Sequence, residues 1–91
     1  MKRERILVKA ADLLDLPSDI VAGLPRVEIT GGRELLMENH HGILEYGGEC
    51  IVIHGGRVMV RVSGAGLELT AVTADELRLR GERITGVEFL Y

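Results

Sequence analysis

The stretch that decides the fold is residues 42–63, GILEYGGECIVIHGGRVMVRVS, in which three runs rich in Ile, Leu and Val are separated by two Gly-Gly pairs. Such pairs between alternating apolar runs are the signal for tight antiparallel hairpins, because glycine reaches the backbone angles that two-residue turns need. Reading Gly47-Gly48 as the first tip sets Glu45 opposite Cys50, Leu44 opposite Ile51, Ile43 opposite Val52 and His41 opposite His54. Reading Gly55-Gly56 as the second sets His54 against Arg57, Ile53 against Val58, Val52 against Met59 and Cys50 against Arg61. One face then carries Leu44, Ile51, Ile53, Val58, Val60 and Val62, with Tyr46 at its edge, and is the predicted core face.

Working outward, glycine recurs at short intervals from Arg26 onward, and the segments between alternate β-branched or aliphatic residues with charge. RVEIT, ELLME, GILEY, ECIVIH, RVMVRVS, LELTA, ELRLR and RITGVEFLY are eight candidate strands. Most connections are too short for crossover helices, so neighbours pair antiparallel in a β-meander that closes into a small sandwich or a barrel-like sheet. No motif of fixed length repeats, which sets a β-solenoid aside. A three-residue loop Gly31-Gly32-Arg33 pairs Ile29 with Leu35 and Val27 with Met37, and is preferred to a two-residue loop, which would set Leu35 against Glu28. Gly81-Glu82 as a hairpin tip brings Leu79 opposite Ile84, a bulge across Gly86 breaks the alternation, and Val87, Phe89 and Tyr91 return to the core.

Residues 1–24 differ in texture from residues 25–91. Ile6, Ala10, Leu13 and Leu14 recur at helical spacing and predict a short helix ending before Pro17, with one more turn before Gly23. No Ser- or Gly-rich linker separates the two parts, so the expectation is one domain with an N-terminal helical segment packed on or beside the sheet. MKRER is the one basic cluster; with Lys2, Arg3 and Arg5 it reads as a solvated terminus rather than a lipid anchor.

Composition narrows function. Eleven basic residues against fourteen acidic give a net charge of −3, which offers no positive field for nucleic acid. Three aromatics, Tyr46, Phe89 and Tyr91, leave little to stack on bases. A chain of 91 residues buries roughly 60 to 65% of its unfolded surface, which allows a thin aliphatic core and no deep cleft. One cysteine, no secretory segment and no run able to span a bilayer place the expected compartment in a reducing cytoplasm, with no integral membrane segment.

All three histidines and the cysteine fall within residues 38–54, ENHHGILEYGGECIVIH, which raises zinc. The predicted register separates them: His41 and His54 face each other, while Cys50 lies roughly 13 Å along its strand. Two imidazoles make a weak site. Cys50 has Glu45 and Arg61 as predicted neighbours and no base beside it, and no nucleophilic triad, Walker loop or dinucleotide fingerprint occurs, so the chain reads as no enzyme.

The anomaly is the second face of the predicted hairpins, where Ile43, Val52 and Met59 form an apolar row rimmed by Glu45, Arg57 and Arg61. Solvated strands usually carry Thr, Lys or Glu at such positions. The row is expected to lie under the N-terminal helix or to meet another subunit or partner, and a homo-oligomer is expected.

Three short motifs carry a family resemblance: Leu16-Pro17-Ser18-Asp19 as LP-x-D, Leu24-Pro25-Arg26 as LPR, and Glu38-Asn39-His40-His41-Gly42-Ile43 as ENH-x-GI. Together they resemble the YabP/YqfC family of small sporulation proteins, in its YqfC branch, over nearly the whole chain. The resemblance implies a non-enzymatic role in endospore formation, on the mother-cell side and in maturation of the spore envelope. It implies no cofactor. The partner implied is a membrane-anchored sporulation protein of the YqfD type, which would hold the protein peripherally at the forespore membrane. No role attaches through the resemblance to Glu38, Asn39 or His40; the residues themselves suggest that Asn39 and Gly42 shape a turn with His40 exposed at its tip. The alternative reading is a small metal- or ligand-binding module using His41 and His54.

Overall fold

The computed structural model describes residues 24–91, and the predicted N-terminal helix lies outside the described residues. Eight strands follow in order: β1 (Arg26–Thr30), β2 (Glu34–Glu38), β3 (Ile43–Tyr46), β4 (Cys50–His54), β5 (Met59–Ala65), β6 (Glu68–Val72), β7 (Glu76–Arg80) and β8 (Arg83–Leu90). Each matches one predicted strand to within two residues at either end. They form two antiparallel four-stranded sheets, β1-β2-β7-β6 and β3-β4-β5-β8. The architecture is a sandwich and not a closed barrel.

Alternation explains which side each strand buries. In β2 and β7 it is regular: Leu35 and Met37, Leu77 and Leu79 face inward, while Glu34, Arg78 and Arg80 face water. Leu35 pairs with Leu79 and Met37 with Leu77, so the centre of the first sheet offers a block of four aliphatic side chains. The second sheet answers with Ile51, Ile53, Val60 and Val62, and these join Leu67 in one cluster from which water is excluded. Two apolar sheet faces are buried at once by stacking them, which a single eight-stranded layer cannot do.

The β1–β2 register is as expected from its three-residue loop, with Ile29 opposite Leu35 and Val27 opposite Met37. The meander is only partly realised. Consecutive strands pair at β1–β2, β3–β4, β4–β5 and β6–β7, but β2 pairs with β7 and β5 with β8. The chain therefore changes sheet after β2, β5 and β7.

Gly81-Glu82 is one of these corners and not a hairpin tip. Leu79 pairs with Leu35 and Leu69, and Ile84 pairs with Gly64. The corner is held from both sheets: Gly81 N–H donates to Arg33 O, Ile84 N–H to Gly32 O and Glu82 N–H to Ala65 O. Close approach is possible because Gly64 has no side chain, since a Cβ there would lie 2.2 Å from Arg83 O. The bulge predicted near Gly86 is present, as Gly86 pairs with Ser63 and Ile84 with Gly64, leaving Thr85 over. Val87 does pack against the core, whereas Phe89 is 45% exposed and Tyr91 99% exposed. Both lie at or beyond the end of an edge strand, where no described strand covers them.

Candidate functional site

The predicted contact surface maps onto the outer face of the second sheet, and there the pairings differ from the two-residue-turn reading. Tyr46 pairs with Ile51, so four residues, Gly47 to Cys50, separate the paired positions, and Gly47 N–H donates to Cys50 O. At the next turn His54 pairs with Met59 and Val52 with Arg61. Each hairpin has slipped by two residues, which preserves the face of β4 and β5 because side chains alternate with period two. Ile51, Ile53, Val58, Val60 and Val62 are accordingly buried as predicted.

In β3 a bulge changes the faces. Ile43 pairs with Ile53 and Glu45 with Val52, leaving Leu44 as the extra residue. Ile43 turns inward and packs against the core, while Leu44, assigned to the core by simple alternation, is 51% exposed. Tyr46 is also largely exposed, with its hydroxyl accepting from Leu69 N–H on β6 at 3.2 Å.

The row Ile43–Val52–Met59 is therefore not formed. The cross-strand row at Val52 runs Glu45, Val52, Arg61, Glu88, and Arg61 Nη1 lies 3.0 Å from Glu88 Oε1. The next row runs His54, Met59, Leu90, and the one on the other side Cys50, Ser63, Gly86. Val52 is buried and Met59 is partly exposed, each beside polar neighbours rather than beside each other. Arg57 sits exposed in the Gly55–Val58 turn, away from both rows. Of the six predicted residues, Glu45, Val52 and Arg61 are brought into one row, Met59 lies in the adjacent one, and Ile43 and Arg57 are elsewhere.

The histidine pair is where the sequence puts it, by a different route. The two extra turn residues are offset by the bulge at Leu44 and by Gly42, whose φ of 116° only glycine takes readily. His41 N–H consequently donates to His54 O at 2.7 Å, His54 N–H donates to Gly42 O at 2.8 Å, and the two rings are 5.6 Å apart. His54 Nδ1 accepts the Gly56 N–H at 3.0 Å. That bond leaves the neutral ring with its hydrogen on Nε2, so a metal could be ligated only after one nitrogen gives up its present role. Cys50 lies at the far end of β4 and faces Ser63, not Arg61. Among the described residues no group of three or more His, Cys, Asp or Glu side chains is placed to hold a metal ion.

His40 has a structural task that the sequence did not disclose. Its Nε2 lies 2.6 Å from Thr73 O and its Nδ1 accepts Gly42 N–H at 3.2 Å. A carbonyl can only accept, so the ring is the Nε2–H tautomer and donates to Thr73. Asn39, with φ 65°, donates from its side chain to Leu24 O and from its backbone to Asp75 O. The ENH-x-GI segment thus fastens the β2–β3 crossover to the start of β1 and to the β6–β7 turn. His40 is half-buried, not exposed at a tip.

The first sheet presents a different outer face. Glu28, Thr30, Glu34, Leu36, Arg78 and Arg80 surround an open depression of about 270 Å³. Several of its charges are drawn into exposed pairs, Arg80 with Glu68 at 3.1 Å, Arg78 with Glu76 at 3.7 Å and Glu28 with Arg26 at 3.5 Å. Opposite signs alternate across it, which describes a solvated face. No helix of the described residues is long and apolar enough to cross a membrane.

The chain is similar to the uncharacterized protein YqfC of Bacillus subtilis (strain 168), with 24% identity over 80 residues, covering 88% of this chain and 86% of that protein. No family model matches the chain, and no solved structure matches it.

Proposed function

We propose that this protein is a YqfC-like sporulation protein that acts by protein–protein interaction in endospore formation and catalyses no reaction. The observation that carries the reading is the similarity to YqfC along nearly the full length of both chains, in which the LPR and ENH-x-GI motifs fall within the span the resemblance covers. The fold is compatible with an interaction role: a thin aliphatic core lies between two sheets whose outer faces both carry exposed ion pairs, Arg80 with Glu68 on the first and Arg61 with Glu88 on the second. The proposed setting is the mother cell, with contact to a membrane-anchored protein of the YqfD type and a role in spore envelope maturation.

Deletion of the gene in its own spore-forming host is expected to leave vegetative growth unchanged and to lower the yield of heat-resistant spores. Affinity capture of the full chain from sporulating cells is expected to bring down a membrane-anchored sporulation protein. Normal spore yield together with no captured partner rejects the proposal.

The second reading, a metal- or ligand-binding module, is favoured by one observation, the 5.6 Å separation of the His41 and His54 rings. Zinc titration followed by calorimetry is expected to show only weak binding, since two ligands leave the ion to solvent and His54 Nδ1 is already engaged. Tight one-to-one binding that His54→Ala abolishes would establish the module instead.

A further inference from the structure

The two sheets have four edge strands, β1, β6, β3 and β8. Three of these are interrupted by a bulge on the edge strand itself: Leu44 in β3, Thr70 in β6 and Thr85 in β8 each lie between paired positions without a partner of their own. Bulges twist an edge and spoil its hydrogen-bonding row, a common protection against unwanted strand pairing. β1 has no such interruption. All five of its residues pair in register with β2, from Arg26 opposite Glu38 to Thr30 opposite Glu34.

The direction of the β1 backbone follows from two hydrogen bonds. Leu24 O accepts from Asn39 Nδ2 and Thr30 O accepts from Arg33 N–H, so the carbonyls at both ends of the even-numbered series point toward β2. Strand alternation then directs the N–H and C=O groups of Val27 and Ile29, and the C=O of Pro25, to the outer edge, where no described strand meets them. The side chains beside that row are half-covered: Val27 is partly buried and Ile29, on the inward-facing side of an edge strand, is 46% exposed.

Resting on the interaction reading above, we infer that the outer edge of β1 pairs antiparallel with β1 of a second copy of this chain, joining two first sheets into one continuous eight-stranded sheet. Charge selects both partner and register. With Val27 opposite Val27 of the second copy, Arg26 of each copy faces Glu28 of the other, and Ile29 N–H of each donates to Pro25 O of the other. Pro25, which has no N–H to offer, contributes only its carbonyl in this register. Moving the centre to Glu28 sets two carboxylates directly opposite, which disfavours it, and centring on Ile29 would draw in Gly31, whose φ of 62° has already left strand geometry. The sequence RVEIT is thus self-complementary about Val27.

Sedimentation of the full chain over a concentration series tests this. The native chain is expected to self-associate, and Arg26→Glu and Glu28→Arg are each expected to raise the dissociation constant about tenfold or more, because each sets two like-charged pairs across the edge. An equimolar mixture of the two variants is expected to regain association, since positions 26 and 28 are then both acidic in one chain and both basic in the chain they face. Val27→Pro removes an outward donor without touching the β1–β2 ladder, and is expected to abolish association while the thermal transition persists. Association of undiminished strength in all three variants overturns the β1 pairing and leaves the interaction reading standing. A native chain that stays monomeric throughout the series also overturns the pairing, whereas capture of a sporulation partner judges the interaction reading on its own.

Discussion

Gly64→Ala is expected to destabilise the fold by about 3 kcal/mol or more, a fall in Tm of roughly 12 to 24 °C for a domain of this size. The added Cβ would stand 2.2 Å from Arg83 O and 3.0 Å from Leu67 Cδ2. The first contact is with backbone that is itself fixed, since Arg83 pairs with Ala65 and the neighbouring Glu82 N–H donates to Ala65 O. Relief would require β8 to move off β5 at the corner where the chain passes between sheets. Gly86→Ala is the matched control: nothing lies within 4 Å of its Cβ position, so its transition should stay within about 1 kcal/mol of the native one. Equal melting curves for the two variants would show that the corner is looser than these contacts imply.

Ile53→Ala is expected to cost about 2 to 5 kcal/mol, and Leu44→Ala about 0.5 kcal/mol or less. Ile53 is wholly buried and lies between Ile43 on β3 and Val60 on β5, where truncation leaves a void bounded by both sheets. Leu44 is the bulged residue and half in solvent. Chemical denaturation of the two variants separates the bulged register from uninterrupted alternation. Under simple alternation Leu44 would be a core residue and its loss would rival that of Ile53; a large effect at Leu44 would exclude the bulge.

These two positions show how far one-dimensional reading reaches. The pattern of ELLME and ELRLR assigns Leu35, Met37, Leu77 and Leu79 to the interior because both strands are regular and sit at the centre of a sheet. The β1–β2 register was legible because only the three-residue loop sets Ile29 opposite Leu35 and Val27 opposite Met37, apolar against apolar. In GILEY the same reasoning fails, because a bulge shifts Ile43 and Leu44 between faces without leaving a proline or charge to mark it. The apolar row Ile43, Val52, Met59 depended on that strand and on both turns being two residues long, and it dissolved when the turns lengthened.

The candidate site divides in the same way. The His41–His54 pairing was legible because the lengthened turn, the bulge and Gly42 cancel by the time the chain reaches it. The tasks of Asn39 and His40 were not, since their partners Leu24, Thr73 and Asp75 are distant in sequence and are assembled only by the crossovers. The β1 edge was invisible for a related reason: among the described residues RVEIT becomes an uninterrupted edge only when β2 pairs on its other side with β7 and the other three edges carry bulges.

By itself the sequence determined eight antiparallel strands, an aliphatic interior and the inward residues of the strands that alternate without a bulge, since period-two burial and glycine turns are local properties of the chain. Only the tertiary structure decided which non-consecutive strands are neighbours, where Gly81-Glu82 leads and which side chains share an outer face. Those depend on long-range pairing, in which β5 chooses β8 and β2 chooses β7 because stacking two four-stranded sheets buries both apolar faces and no local signal records the choice.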